Sequence, residues 1–293
     1  MGHTRYPAVD FRSSLESAFG LLEWQPVADS QIHRFHISGD RINSKNGWYI
    51  LFPGEQTGYF GSWRTGISHH WSNLPHTSHL EKILIAKSTM SLRSQREAEL
   101  QRKHASVADY AHQLWIKSSS AKSCHPYLVA KGCHQHDLRQ KGEKLLVPVY
   151  DKGKLVNLQF ISPNGEKRFL NGGKLKGCYA LIGPPLNTSN LYICEGWATG
   201  ATIHEETDKT VACAMSSGNL LSAGQLLQSQ YPHANLIIAG DDDRQTDRNP
   251  GRTAATRAAT ALGCGIMLPQ WPANAPLSLT DFNDLRLWLK ANK

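Results

Sequence analysis

What the chain lacks narrows its possibilities first. No run of about 18 apolar residues occurs in its 293 residues, so the sequence offers no membrane-spanning helix. The opening stretch, MGHTRYPAVDFRSSLE, has no apolar run of the kind a secretory leader needs, and a cytoplasmic location is expected. The six cysteines are Cys124, Cys133, Cys178, Cys194, Cys213 and Cys264, and no two of them form a C-x-x-C pair. That spacing excludes zinc ribbons and fingers. The densest grouping, Cys124-His125 with Cys133-His134-Gln135-His136, leaves a metal site as the lesser reading. Buried free thiols in a reducing compartment are the expected one. A G-x-x-x-x-G-K-[ST] phosphate loop is also missing, which excludes a P-loop motor within these residues.

What is present describes a folded chain with two unlike halves. Hydrophobic residues make up 40% and charged residues 19%, enough to bury a core in each of two domains. The net charge of +8 is uneven. Residues 1–189 hold 24 Lys and Arg against 14 Asp and Glu, whereas residues 190–293 hold 8 against 10. A basic half joined to an acidic one suits a polyanion-binding surface beside a cation-binding site.

The periodicity changes along the chain. Residues 9–23 carry apolar positions at helical spacing. From about 31 to 72, aromatic segments punctuated by Gly47, Gly54, Gly58, Gly61 and Gly66 predict a small antiparallel sheet. Residues 79–117 are rich in helix formers and predict one or two helices. The run KSSSAK, 117–122, reads as a linker and sets the main boundary. After it come strands at 145–150, 154–161 and 167–170, separated by turns at Asp151–Gly153 and Pro163–Gly165. From residue 190 strands and helices alternate: LYIC, WATGATIHEE, TVAC, LSAGQLLQSQ, NLIIA, PGRTAATRAATAL and GIMLP. Such alternation predicts a parallel sheet covered by helices on both faces.

Ligand sites of open parallel sheets lie at the carboxyl ends of the strands. Glu195 follows one predicted strand, and Asp241, Asp242 and Asp243 follow another. Alternation points Asp241 and Asp243 to one side and Asp242 to the other. Clustered carboxylates at one edge repel unless a cation joins them, and hard oxygen donors suit Mg2+ or Mn2+.

These residues carry a resemblance. Cys194-Glu195-Gly196, then Gly240-Asp241-Asp242-Asp243 continued by Gly251-Arg-Thr-Ala-Ala, resembles the TOPRIM domain of primases, topoisomerases and some nucleases. Asp281-Phe-Asn-Asp284 resembles the segment that closes the domain in phage and plasmid primases. In one departure, seven residues, Arg244–Pro250, separate D-x-D from the glycine. Upstream, Tyr127-Leu-Val-Ala-Lys-Gly132, the meander from Leu146 to Phe160, Arg168-Phe-Leu-Asn171 and Lys176-Gly177 resemble the polymerase core of bacterial replicative primases.

The resemblance implies an α/β chain: a TOPRIM (Rossmann-like) parallel sheet over residues 190–293, a small mixed α+β primase-core subdomain over 121–189, and an N-terminal α+β region over 1–120. It implies a DNA primase that joins ribonucleoside triphosphates into short primers on single-stranded DNA. Glu195, Asp241 and Asp243 would be catalytic and would hold Mg2+ or Mn2+ with Asp281 and Asp284. Arg168, Lys174 and Lys176 would contact nucleotide or template phosphates, and a replicative helicase would act in trans. The alternatives are a TOPRIM nuclease and a non-catalytic nucleic-acid-binding accessory protein of a mobile element. Trp48, Tyr49, Phe60 and Trp63, interleaved with Lys45 and Arg64, are read first as sheet core, with stacking on single-stranded bases as the other reading.

Overall fold

The computed structural model describes residues 7–42, 44–54, 56–73, 79–184 and 189–292, without the side chains of 7, 79–93, 95 and 96. The leader expectation therefore lies partly outside the described residues. Two compact units are present, residues 1–93 and 94–293.

In the first unit, helix α1 (Pro7–Phe19) packs on an antiparallel sheet of β1 (His33–Phe35), β2 (Gly47–Leu51), β3 (Thr57–Ser62) and β4 (Ser68–Ser72), in the order β1-β2-β3-β4. Phe11 is the centre of this core, meeting Tyr49, Phe60 and Trp71 edge to face at 6.0, 5.8 and 5.2 Å. Tyr49 and Phe60 are core residues, as alternation along each strand requires. Trp48 and Trp63 occupy the opposite side of the pleat, tilted together at 5.3 Å, and Trp63 is 44% exposed.

Helix α2 (His79–Ile116) runs across the division at Arg93 and Ser94. In the second unit its last turns lay Ala111, Leu114 and Trp115 on Leu146, Leu158 and Phe160. Then come β5 (Ser119–Ser120), helix α3 (Pro126–Lys131), β6 (Arg139–Lys141), β7 (Lys144–Asp151), β8 (Lys154–Ile161) and β9 (Lys167–Phe169). The strands form one antiparallel sheet in the order β5-β6-β7-β8-β9. Its central strands bury both faces, which is why Leu145-Leu-Val-Pro-Val149 reads as a continuous apolar run. The KSSSAK segment is not a linker. Ala121 is buried and donates its N–H to Leu138 O at 2.9 Å, and Ser118 Oγ donates to Leu114 O. Small polar residues that resemble a linker are here a short edge strand held by Arg139, which donates to the carbonyls of Trp115 and Ser118.

The second sheet holds β10 (Ala180–Ile182), β11 (Asn190–Cys194), β12 (Thr210–Cys213), β13 (Asn235–Ala239) and β14 (Gly265–Met267), in the order β10-β12-β11-β13-β14. All neighbours are parallel except β10, an antiparallel edge. This edge strand belongs to the second sheet although the sequence division at 189 lies after it. The helices are α4 (Trp197–Thr207), α5 (Leu220–Gln230), α6 (Pro250–Leu262) and α7 (Phe282–Ala291). Trp197, Ala198 and Ala201 of α4 bury one face with Cys194 and Cys213, while α5 and α6 cover the other through Leu220, Leu227, Ala255 and Ala259.

A polar clamp fixes α7. Arg286, 7% exposed, pairs with Glu205 at 2.5 Å and donates to Gly132 O and Cys133 Sγ. Asn283 donates to Lys131 O at 2.7 Å and Thr202 Oγ1 at 2.9 Å. Cys133 is thus one of the buried thiols. His125 caps α3 instead of joining it, accepting from Tyr127 N at 3.2 Å. Removing one partner of a buried pair strands the other. Arg286→Ala is expected to lower the unfolding free energy by about 3–5 kcal/mol in urea titration. Loss of the solvent-exposed Arg168–Glu166 pair in Arg168→Ala should cost under about 1 kcal/mol in the same measurement.

Candidate active site

Strands β11 and β13 are adjacent and parallel, with Cys194 opposite Ala239. The chain leaves β11 into α4 on one face and β13 into α6 on the other. Their carboxyl ends are therefore a topological switch point, where the two departing chains open a crevice. Glu195 is the first residue beyond β11, and Asp241 the second beyond β13. The crevice has a volume of about 170 Å3, and its wall includes Glu195, Asp241, Asp281, Lys131, Lys167 and Tyr127.

The three aspartates after β13 divide as alternation predicts. Asp242 is 2% exposed and faces away, accepting from Asn249 Nδ2 at 2.7 Å and Trp271 Nε1 at 3.0 Å beside the Arg252 guanidinium. Asp243 Oδ2 accepts from Gly251 N at 2.8 Å, at the first turn of α6. Two glycines make that approach possible. A Cβ on Gly251 would lie 2.8 Å from Asp243 Oδ2 and 3.0 Å from Asp241 O, and one on Gly240 would lie 2.4 Å from Ala255 Cβ. The Arg244–Pro250 insertion keeps this geometry through its own contacts. Asn249 Oδ1 accepts from Asp243 N at 2.8 Å and Arg252 N at 3.2 Å, while Arg244 stacks on Trp271 at 4.3 Å and donates to Pro276 O.

Asp281 and Asp284 first serve α7. Asp281 Oδ1 accepts from Asp284 N at 2.8 Å, capping α7, and Asp284 Oδ2 accepts from Thr280 N at 3.1 Å, just before the cap. Asp281 still reaches the crevice, where its Oδ2 accepts from Thr199 Oγ1 at 3.1 Å. Asp284 is turned toward Lys131, with Nζ 3.5 Å from Oδ1.

Crowded carboxylates raise one another. Burial pushes Asp241 from 3.8 up to about 8, helped by the charges of Asp281, Glu195 and Asp243. Burial also raises Glu195, with Asp243 adding to it and Ser217 and Lys167 opposing. Asp281 rises through burial and through Asp284. Asp241 Oδ1 is buried without a hydrogen-bond partner among the described residues. Such an oxygen fits a hard cation, although among the described residues no three Asp, Glu, His or Cys side chains are drawn close enough to enclose one.

Residues 190–288 match the family model described as Toprim domain. This segment is a Toprim domain. The chain is 32% identical over 257 residues to a DNA primase TraC of Escherichia coli, covering 83% of this chain and 24% of that protein. A second E. coli DNA primase TraC is 28% identical over 287 residues, covering 92% and 20%. The chain thus spans about a quarter or less of the length of these curated relatives. Among solved structures, the DnaG catalytic core is 16% identical with a TM-score of 0.39, covering 65% of this chain and 76% of that one. A bacteriophage T7 lagging-strand DNA polymerase with primase domains of two gp4 subunits gives 16% and 0.39, covering 60% and 88%.

The Toprim domain supplies the carboxylates, and the segment before it supplies the opposing cations. They are not the cations the sequence singles out. Arg168 lies 2.7 Å from Glu166 and is 74% exposed, Lys174 pairs with Asp151 at 2.5 Å, and Lys176 is exposed; none lines the crevice. The register of β9 explains the difference. Lys167 is opposite Ile161 and Phe169 opposite Gln159, on the crevice side, while Arg168 is opposite Phe160, on the side that α2 covers. Lys167, Lys131, Tyr127 and Gln159, which line the crevice, were not singled out from the sequence, although Tyr127 and Lys131 belong to the Tyr127–Gly132 segment that carries the resemblance. Met215 was missed as well: its backbone is left-handed at φ 69°, and its N–H is tied to Glu195 O at 2.8 Å.

The raised carboxylate gives a pH signature. Between 3.8 and about 8 the folded protein holds a proton on Asp241 that the unfolded chain has lost. Stability conferred by that proton is complete below the unfolded value and disappears as pH rises through the folded one. Without divalent cations the unfolding free energy should therefore fall from about pH 5 to about pH 8, by at most about 1.4 kcal/mol per pH unit for one such group, and the melting temperature with it. Asp241→Asn should flatten the decline in thermal unfolding scans; an unchanged slope would remove the clustered-charge account.

Proposed function

We propose that the crevice joins ribonucleoside triphosphates into short primers on single-stranded DNA, the reaction of a DNA primase. The observation that carries this reading is the pairing of two walls: Toprim carboxylates Glu195, Asp241 and Asp281 face Lys131 and Lys167. The similarity to DNA primases over most of this chain supports it. Negative charge that develops on a triphosphate during transfer needs a cationic partner in a partly dry site. Lys131 and Lys167 supply that charge from one side.

Asp241 and Asp243 would be the principal ligands of Mg2+ or Mn2+. The chemistry such a cation supplies when bound is neutralisation of phosphate charge and acidification of the attacking 3′-hydroxyl. Glu195 would either ligate or accept the hydroxyl proton, since burial raises its affinity for protons. Asp281 orders the water around the carboxylates from its place on the α7 cap. Asp284 is better suited to holding Lys131 than to ligation. The excess of Lys and Arg before residue 190 would hold the template backbone.

One assay separates the readings. Single-stranded DNA, labelled ribonucleotides and Mg2+ should yield primers; a degraded template would instead indicate a nuclease, and binding alone an accessory protein. Asp241→Asn with Asp243→Asn should abolish synthesis. In the same assay Lys167→Ala should lower kcat/KM by about 10- to 150-fold, the loss of one charge-assisted phosphate contact, with little change in DNA affinity. Arg168→Ala should stay within about 2-fold, as a surface change does. The reverse order would return the phosphate contact to Arg168.

A further inference from the structure

Tyr127 is 4% exposed, yet its hydroxyl has no hydrogen-bond partner among the described residues. Its ring belongs to the buried cluster that includes Leu128, Cys133, Trp197 and Ala198, with Lys167 Nζ 5.9 Å from the ring centroid. A phenylalanine would serve that packing equally well. The hydroxyl is the one part of the side chain the core does not use. Buried polar groups are seldom left in this state, and each exception asks for a missing partner.

The side chain lines the carboxylate crevice, so such a partner has a place to be. Asp241 lines the same crevice, and its Oδ1 is buried without a hydrogen-bond partner among the described residues in the same way. Asp281 is among the groups whose charge acts on Tyr127, and burial holds the phenol well above its ordinary pKa, so it keeps its proton. A protonated phenol carries one donor and an acceptor oxygen. Water bound to a divalent cation is a strong donor that needs an acceptor, and a carboxylate such as Asp281 accepts. A single hydroxyl between them satisfies both.

We propose that Tyr127 is a positioning residue for the cation site: its hydroxyl accepts from a cation-bound water and donates to the carboxylate cluster. The inference rests on the cation-binding reading of Glu195, Asp241 and Asp243. It assigns the hydroxyl no contact with the reacting atoms. Groups that hold the ligands or waters of a metal typically alter its affinity by about 10- to 100-fold. In the cation-free protein the same hydroxyl is an unsatisfied group, and its removal should do no harm.

Two measurements on the whole chain test this: thermal unfolding in chelator, and Mn2+ titration followed by calorimetry. Tyr127→Phe should unfold at the same temperature as the parent or higher without cation, and should bind Mn2+ about 10- to 100-fold more weakly. Parent-like Mn2+ affinity in Tyr127→Phe would overturn the proposal. So would a lower cation-free melting temperature, which would mean the hydroxyl has a structural partner within the fold. Asp241→Asn with Asp243→Asn is the control. If the parent takes up no more Mn2+ than this double variant, the cation-binding reading falls and the Tyr127 role with it. A parent that binds while Tyr127→Phe binds equally removes Tyr127 alone.

Discussion

The structure depends on bringing like charges together at a place where two strands end side by side. Glu195 and Asp241 follow neighbouring parallel strands, and α7 delivers Asp281 to the same crevice. Repulsion among them would open the crevice, and burial makes it worse by removing the water that would screen it. The fold answers by making each carboxylate's backbone immovable. Asp242 is fully committed to Asn249, Trp271 and Arg252. It acts as a post that fixes the backbone on either side, so Asp241 and Asp243 cannot swing away. Asp281 is held as the cap of α7, and Glu195 O by the Met215 N–H.

The same constraint explains the sequence around the site. Gly251 and Gly240 leave room for α6 to press its first turn onto the aspartates, where the N–H of Gly251 offsets charge on Asp243. Small residues at Ala255, Ala258 and Ala259 continue that close approach down the helix. The insertion Arg244–Pro250 is accommodated because Asn249, with φ 42°, ends it by capping α6 and by accepting from Asp243 N. A longer connection is harmless when both its ends are tied down.

How far the sequence could be read follows from the range of each signal. Alternation is local, so the strands 144–151 and 154–161, the α/β order after residue 190 and the opposite faces of Asp241 and Asp242 were all legible. KSSSAK was misread because composition says nothing of Ala121, whose burial depends on a partner strand 17 residues on. Arg168 was chosen by likeness to a motif, and likeness does not carry register. Only the pairing of Lys167 with Ile161 shows which of two adjacent cations turns inward. The capping role of Asp281 is hidden for another reason: a carboxylate at a helix start and a carboxylate at a metal look the same in a sequence. The four N-terminal aromatics divide by strand parity, with Tyr49 and Phe60 inside and Trp48 and Trp63 outside.

Lys131 and Asp281, on opposite walls of the crevice, are about 150 residues apart, yet they are not placed independently. Lys131 and Tyr127 sit on α3, and Asp281 opens α7. Asn283 and Arg286 of α7 bond to the carbonyls of Lys131 and Gly132, at the carboxyl end of α3. Arg286 is in turn held by Glu205 of α4, the helix that begins just after Glu195. The clamp therefore ties the helix that carries Lys131 to the helix that Asp281 opens, and its own side chains do not line the crevice. A short α3 without this anchor would be marginal, since its six residues provide few internal bonds. The placement of Lys131 in the positive wall thus depends on the buried ion pair and on the packing of α7, whereas Lys167 is placed by the register of β9.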